Sequence, residues 1–259
     1  MSVSDLIEPI RAEGGATYLP DVEKWGQGRT LYGGASALIA YTAAIRAFPD
    51  LPPLKAAQVG FVAPVGSEVE LRREIVRQGR NVIQVRSEIW SDGGCALTAM
   101  WLFAQAREAN AVHPAATPAD WPALPEDNEK VMADKAPQFL ESHFDLRRAQ
   151  EQRGRGDPVV RRWVKLRGGE GIDNVAQLIL MGDVLPPGAM RAMQRPGPIS
   201  SINWSFNLLD PEPHSDDGWW LAENASQHAD AGYSSERLRM WSSSGRQVLD
   251  GIQSVAIFG

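Results

Sequence analysis

MWSSSGRQVLDGIQSVAIF, Met240 to Phe258, closes the chain with a Trp-Ser pair, a short Gly-containing turn and an alternating run. Alternation with a period of two marks a strand. One row holds Leu249, Gly251, Gln253, Val255 and Ile257, and the other Val248, Asp250, Ile252, Ser254 and Ala256. The first row reads as a core-facing strand face, yet Gln253 stands in the middle of it. A side-chain amide brings two donors and an acceptor, and burial obliges it to find partners. Gln253 is therefore either a satisfied core residue or the wall of a site.

The same wording occurs once before. IWSDGGCALTAMWLFA, Ile89 to Ala104, also gives a Trp-Ser pair, a Gly-containing turn and an alternating strand. With one extra residue allowed in the second turn, Gln253 falls opposite Trp101, so only the later copy carries the polar group. Working outward, YGGASALIAYTAAIRAF (Tyr32–Phe48) has helical spacing and is stopped by PDLPP. Strand-like runs follow around Ala57–Val62, in EVELRREIV (Glu68–Val76), in NVIQVRSEIW (Asn81–Trp90) and in CALTAMWLFAQ (Cys95–Gln105).

Residues 106–135 are rich in Ala, Pro and acidic side chains and show no sustained period, which predicts a linker. Beyond it the order returns. APQFLESHFDLRRAQ (Ala136–Gln150) and DPVVRRWVKLRG (Asp157–Gly168) read as strands, DNVAQLILMGDVL (Asp173–Leu185) as a helix ended by Pro186-Pro187. SINWSFNLL (Ser201–Leu209), DGWWLAENAS, SSERLRMW and the terminal stretch read as strands. Two diverged copies of one helix-plus-strands unit account for this grammar. The expected organisation is a unit over 1–107, a linker over 108–135 and a second unit over 136–259. Closely spaced strands joined by turns predict an α+β fold of antiparallel sheets around helices, not a doubly wound parallel sheet.

Composition narrows the function. The chain of 259 residues is 43% hydrophobic and 22% charged, an ordinary globular mix. A net charge of −6 argues against general affinity for nucleic acid or anionic membrane. Cys95 is the single cysteine, so no intramolecular disulfide forms. The N-terminal MSVSDLIEPIRAEGG lacks a basic segment followed by an apolar run, and the most apolar helix candidate is too short for a bilayer, so a cytoplasmic protein is expected. His113, His143, His214 and His228 show no metal spacing, GASAL lacks the second glycine of a serine-hydrolase elbow, and GGEG at 168–171 lacks the rest of a dinucleotide fingerprint.

RTLYGGASALIAYTAA (Arg29–Ala44), the FVAP and RQGR elements within Ala56–Gln105, QFLESHFDLR (Gln138–Arg147) and the Gln-containing last strand together resemble the acyl-CoA thioesterase II family. The likeness covers most of the chain outside the first dozen residues and the linker. It implies a double hotdog fold, two hotdog units on one chain, hydrolysing acyl-CoA thioesters without metal or organic cofactor. It also implies a site of three residues holding the attacking water: Asp183 as the helix Asp, Ser201 as the hydroxyl, where the type member has Thr, and Gln253 as the amide. Asn203-Trp204 departs from the Asp-His pair of the type member.

Each residue also has a reading of its own. Asp183 lies among Leu178, Ile179, Leu180, Met181, Val184 and Leu185, near a helix C-terminus where the dipole disfavours an anion. It either caps the turn at Pro186 or handles a water proton. Ser201 falls on the polar row of its strand with Asn203, a candidate substitute donor. Gly33 and Gly34 open the first helix, either as a tight turn or as exposed N–H donors to a thioester oxygen, facing the Asp of the other unit. Arg72, Arg73, Arg77, Arg80 and Arg86 read as a solvated strand face that could border coenzyme A phosphates. Two rival functions stay open: an acyl-thioester-binding protein with little turnover, and a hotdog hydratase or dehydratase, which wants a catalytic His. Exposed strand edges predict self-association into a homo-oligomer.

Overall fold

The computed structural model describes residues 2–115, 117–131 and 136–258; positions 116 and 132–135 of the expected linker lie outside them. The helices are α1 (Val3–Ile7), α2 (Gly33–Ala47), α3 (Gln138–His143) and α4 (Asn174–Met181). The strands of the first half are β1 (Gly15–Tyr18), β2 (Gly26–Gln27), β3 (Thr30–Leu31), β4 (Leu54–Phe61), β5 (Glu68–Gln78), β6 (Val82–Ser91) and β7 (Gly94–Ala104). Those of the second are β8 (Phe144–Arg148), β9 (Val159–Leu166), β10 (Ile199–Leu208), β11 (Trp219–Asp230), β12 (Tyr233–Ser242) and β13 (Gln247–Ile257). β2 and β3 form a small ribbon, and the other eleven join one sheet in the order β1-β5-β6-β7-β4-β10-β13-β12-β11-β9-β8. Every pairing in it is antiparallel.

The duplication is visible in this order. α2 is followed by β4–β7 and α4 by β10–β13, and the two meanders meet at a β4–β10 seam. The equivalence holds to the residue. In the first unit the ladder skips one position between Ile89 and Trp90, and in the second between Met240 and Trp241. These bulges pair Ile89 with Leu97 and Met240 with Leu249, so Trp101 and Gln253 stand at corresponding places on β7 and β13. Trp101 fills its place with an indole set edge-on to Tyr41 of α2 (5.3 Å between centroids). The two copies thus spend the same position differently, one on packing and one on an amide.

Alternation explains most of the sheet. Leu249, Gly251, Gln253 and Val255 are buried while Ile252 is exposed, so the terminal strand presents the expected row to the core. Trp204 and Trp220 are fully buried core residues. α2 carries an unbroken buried run from Gly34 to Ala44, because it lies between β5–β7 of its own unit and α4 of the other.

One expectation needs correction. Gln138–His143, expected as strand, is α3, and only Phe144–Arg148 is extended. Phe139 and His143 are buried while Glu141 between them is exposed, a pattern that helical period satisfies and alternation does not. Phe139 stacks on Tyr32 (4.0 Å, 4°) and His143 on Trp25 (3.6 Å, 7°), so both contacts need that turn of helix. The described part of the expected linker packs onto the second unit. Trp121 lies edge-on to Trp163 and Trp241, Trp163 Nε1 donates to Ala123 O (2.9 Å), Thr117 Oγ1 donates to Gly245 O (3.0 Å), and Arg161 pairs with Asp120 (2.8 Å). These residues cover Trp163, Leu221 and Trp241, the row of β9, β11 and β12 that points away from the main core.

Candidate active site

Asp183 follows α4, whose C-cap is Gly182. That glycine is required: a Cβ there would overlap the indole of Trp204. The Trp204 ring in turn stands in register with Gln253 across the β10–β13 ladder. The chain turns at Gly182, Val184 N bonds back to Met181 O (3.1 Å), and the Asp183 carboxylate reaches β13. Gln253 Nε2 donates to Asp183 Oδ1 at 2.7 Å and to Ser201 Oγ at 2.9 Å. Because a carboxylate only accepts, the amide orientation is fixed with nitrogen toward Asp183. Both N–H groups are then committed, and the Gln253 carbonyl is left as an acceptor.

Ser201 reaches this cluster through a bulge. Ser201 pairs with Val255 and Trp204 with Gln253, while the register shifts between Ser201 and Asn203. Residues three apart therefore share a face that strict alternation would have denied them. The expectation that Ser201 lies on a polar row with Asn203 is overturned for that reason. Asn203 is exposed, and its Oδ1 accepts from the backbone of Ser254, a neighbour of Gln253 on the opposite face. The structure brings Asp183, Ser201 and Gln253 together and leaves Asn203 out.

The other half supplies the opposite wall. A Cβ on Gly33 would overlap Asp183 Oδ2 and lie 3.2–3.3 Å from the Phe61 ring; one on Gly34 would overlap Leu180 O and the Tyr32 hydroxyl. The start of α2 therefore rests on the end of α4, with the free carboxylate oxygen against the Gly33 backbone. The dipole paradox of Asp183 resolves here: it sits beyond the C-terminus of its own helix but at the N-terminus of another, where unpaired N–H groups favour an anion. Its hydrogen-bond partner is Gln253, not the turn before Pro186.

Burial raises the Asp183 pKa to about 7, against a smaller lowering by the Gln253 hydrogen bond. Burial, and then the negative charge of Asp183, hold the Tyr32 phenol well above its ordinary value. A carboxylic acid that titrates near neutrality, beside a fixed amide and a helix N-terminus, can take a proton from water and later return it.

Sequence reasoning missed three supporting residues. Tyr32, the N-cap of α2, donates its hydroxyl to Leu180 O (2.5 Å). Phe61 closes over Gly33 from the end of β4. Glu236, fully buried and in register with Gln253, accepts from the backbone N–H groups of Gly188 (2.7 Å) and Ala189 (3.3 Å) and from Ser234. With Asn224 Nδ2 on Pro186 O (3.3 Å), it pins the segment that follows Asp183. Of the arginines of β5 and β6, Arg72 pairs with Glu70 (2.8 Å) and Arg86 with Glu74 (2.5 Å) on exposed strand surface, while Arg73 donates to the carbonyls of Leu71 and Ala12.

Two sequence profiles match the chain: an acyl-CoA thioesterase N-terminal domain over residues 22–104 and an acyl-CoA thioesterase C-terminal domain over residues 109–257. The chain belongs to the acyl-CoA thioesterase family. It is a thioesterase with a double hotdog fold. Among solved structures, a hot dog fold protein from Alicyclobacillus acidocaldarius superimposes with a TM-score of 0.87 at 18% identity, covering 100% of this chain and 99% of that one. The tesB protein of Mycobacterium avium subs paratuberculosis gives 0.77 at 17%, covering 100% of both. An acyl-CoA thioesterase II from Mycobacterium marinum gives 0.75 at 14%, covering 98% and 97%. At these identities the likeness concerns the fold. No curated protein sequence matches. Among the described residues no helix is long and apolar enough to cross a membrane.

Proposed function

We propose that this thioesterase hydrolyses acyl-CoA by water activated at Asp183, with Gln253 and Ser201 holding the carboxylate and the water in place. One observation carries the reading: a single amide nitrogen bonds both Asp183 and Ser201 while the second carboxylate oxygen faces the start of α2. Asp183 takes a proton as the water oxygen attacks the thioester carbon. The carbonyl electron pair moves to oxygen, and the N–H groups near Gly33-Gly34 meet the developing charge. Collapse of the tetrahedral species breaks the carbon–sulfur bond, and protonated Asp183 returns its proton to the departing thiolate. Free acid and CoA leave. The reading implies a cytoplasmic, self-associating enzyme of fatty acyl metabolism.

The test is release of free thiol from acyl-CoA thioesters of graded length, followed against pH. Since the base must be ionised, kcat/KM rises about tenfold per pH unit up to about pH 7 and levels above it. Gln253→Leu removes the bond that lowers the Asp183 pKa, so its limb moves to higher pH and the plateau falls. A limb near pH 4 in the native enzyme, or no thiol release from any member of the panel, refutes the mechanism.

A further inference from the structure

Besides the β4–β10 seam, a side-chain hydrogen bond that the mechanism above does not use ties α2 of one hotdog unit to α4 of the other. Tyr32 precedes the Gly-Gly pair of α2 and is fully buried. Its backbone N–H donates to Trp25 O (2.8 Å) and its carbonyl accepts from Ser36 N (3.0 Å), so its backbone is committed to capping α2. Its ring is stacked on Phe139 and edge-on to Phe144 (6.2 Å), which leaves the phenol one direction. In that direction lies Leu180 O, 2.5 Å away.

Leu180 is in the last turn of α4, three residues before Asp183. Its carbonyl is one of those a helix leaves without an intrahelical donor at its end. The N–H four residues on belongs to Val184, which bonds to Met181 O instead. The phenol therefore takes the carbonyl that the turn into Asp183 sets free. Gly34 permits the approach, because any side chain there would occupy the space of this hydrogen bond.

We propose that Tyr32 is a positioning residue: its hydroxyl locks the last turn of α4 onto the first turn of α2 and so holds Asp183 against the Gly33 backbone. The proposal rests on the Asp183 mechanism for its kinetic consequence, but not for the coupling itself. The groups around Asp183 are Tyr32 from α2, Gln253 from β13 and Ser201 from β10, with Glu236 beside Gln253 on β12 but taken up by Gly188, Ala189 and Ser234. Among the described residues no cation is in hydrogen-bond contact with the carboxylate, so its placement is set by packing and by these neighbours.

Tyr32→Phe keeps the stack on Phe139 and deletes one oxygen. The expected result is a fall in kcat of about tenfold with KM changed less than twofold, since displacing a reacting group by a fraction of an ångström costs rate before it costs binding. The lower limb of the pH profile shifts toward acid, because a carboxylate released from its seat gains water and recovers an ordinary carboxylate pKa. A second readout needs no turnover. Thermal midpoints of wild type, Tyr32→Phe, Asp183→Asn and the double variant are compared at pH 8. Coupling predicts that Asp183→Asn gains less in the Tyr32→Phe background than in the wild type. Native kcat and an unmoved limb in Tyr32→Phe, or equal gains in both backgrounds, overturn the proposal. Absent thiol release by the wild type with a clear coupling of midpoints would sink the hydrolytic mechanism and leave the cross-unit tie standing.

Discussion

Asp183→Asn lowers kcat/KM for acyl-CoA hydrolysis by about 10²–10⁴ while leaving the fold intact and, at pH 8, more stable than the wild type. The rate loss follows from geometry. Asn is isosteric, so its carbonyl still accepts from Gln253 Nε2 and the start of α2 still meets a polar atom. What disappears is the ability to hold a proton. Glu236, the buried carboxylate in register with Gln253, cannot replace it, because it is occupied by two backbone N–H groups and a serine. Thiol release measured with several acyl chain lengths checks this. A variant that turns over at the wild-type rate would falsify the role of Asp183.

The stability gain has a definite sign and pH window. Folding raises the Asp183 pKa from 3.8 to about 7. Below about pH 4 the group is protonated in both folded and unfolded chains and burial costs it nothing. Between about 4 and 7 the unfolded chain ionises first, so stability falls as pH rises; above about 7 both forms are ionised and the whole penalty is present. Asn never ionises. Its thermal midpoint should exceed that of the wild type at pH 8, and the difference should shrink through pH 6 and vanish near pH 4. A gain independent of pH would mean that the substitution acts by packing rather than by charge. A catalytic group that weakens the fold at the pH where it works is the usual mark of a site held under electrostatic cost.

How much of this was legible beforehand depended on whether the signal was local. The strands around Val69, Ile89, Leu97 and Leu249 announce themselves because a period of two is a property of neighbouring residues. The correspondence of Trp101 and Gln253 was readable too, since both hairpins keep the Trp-Ser pair before the turn and the bulge behind it. α3 was misread because its six residues hold a single helical repeat, Phe139 to His143, and what makes it a helix is the pair of aromatic faces it meets, Tyr32 and Trp25. Long-range stacking leaves no trace in a window that short.

Site residues divide along the same line. Gln253 and Asp183 stood out as polar groups in apolar rows, a local anomaly that pointed to a shared task. Ser201 did not, because the β10 bulge that turns it inward depends on pairing with β13, fifty residues away in the chain. Asn203, the candidate substitute donor, keeps the outward place that alternation gives it beside Trp204, and the bulge parts it from Ser201. Tyr32 and Phe61 were invisible for a different reason: each is an ordinary core aromatic until the other unit brings Leu180 or Asp183 beside it.

The two glycines that open α2 should respond to alanine in opposite ways. At Gly33 the added methyl meets the end of a side chain, Asp183 Oδ2, and the ring of Phe61 at 3.2–3.3 Å. A carboxylate can swing aside, which relieves part of the crowding. Gly33→Ala should therefore fold with a midpoint near the wild type, yet lose about 10²-fold in kcat, since the base is moved and the helix N–H groups are covered. At Gly34 the methyl meets Leu180 O and the hydroxyl of Tyr32. Backbone cannot swing aside, so α2 must part from α4. Overpacking of this kind costs about 1–3 kcal/mol, to which loss of the Tyr32 bond to a buried carbonyl adds on the order of 1 kcal/mol. Gly34→Ala should be recognised first by a lowered midpoint and only then by lost activity. Midpoint and kcat for both variants separate the effects. If Gly33→Ala retained full activity, or if Gly34→Ala were as stable as the wild type, the close contact of the two helices around Asp183 could not be the device that aligns carboxylate and donors.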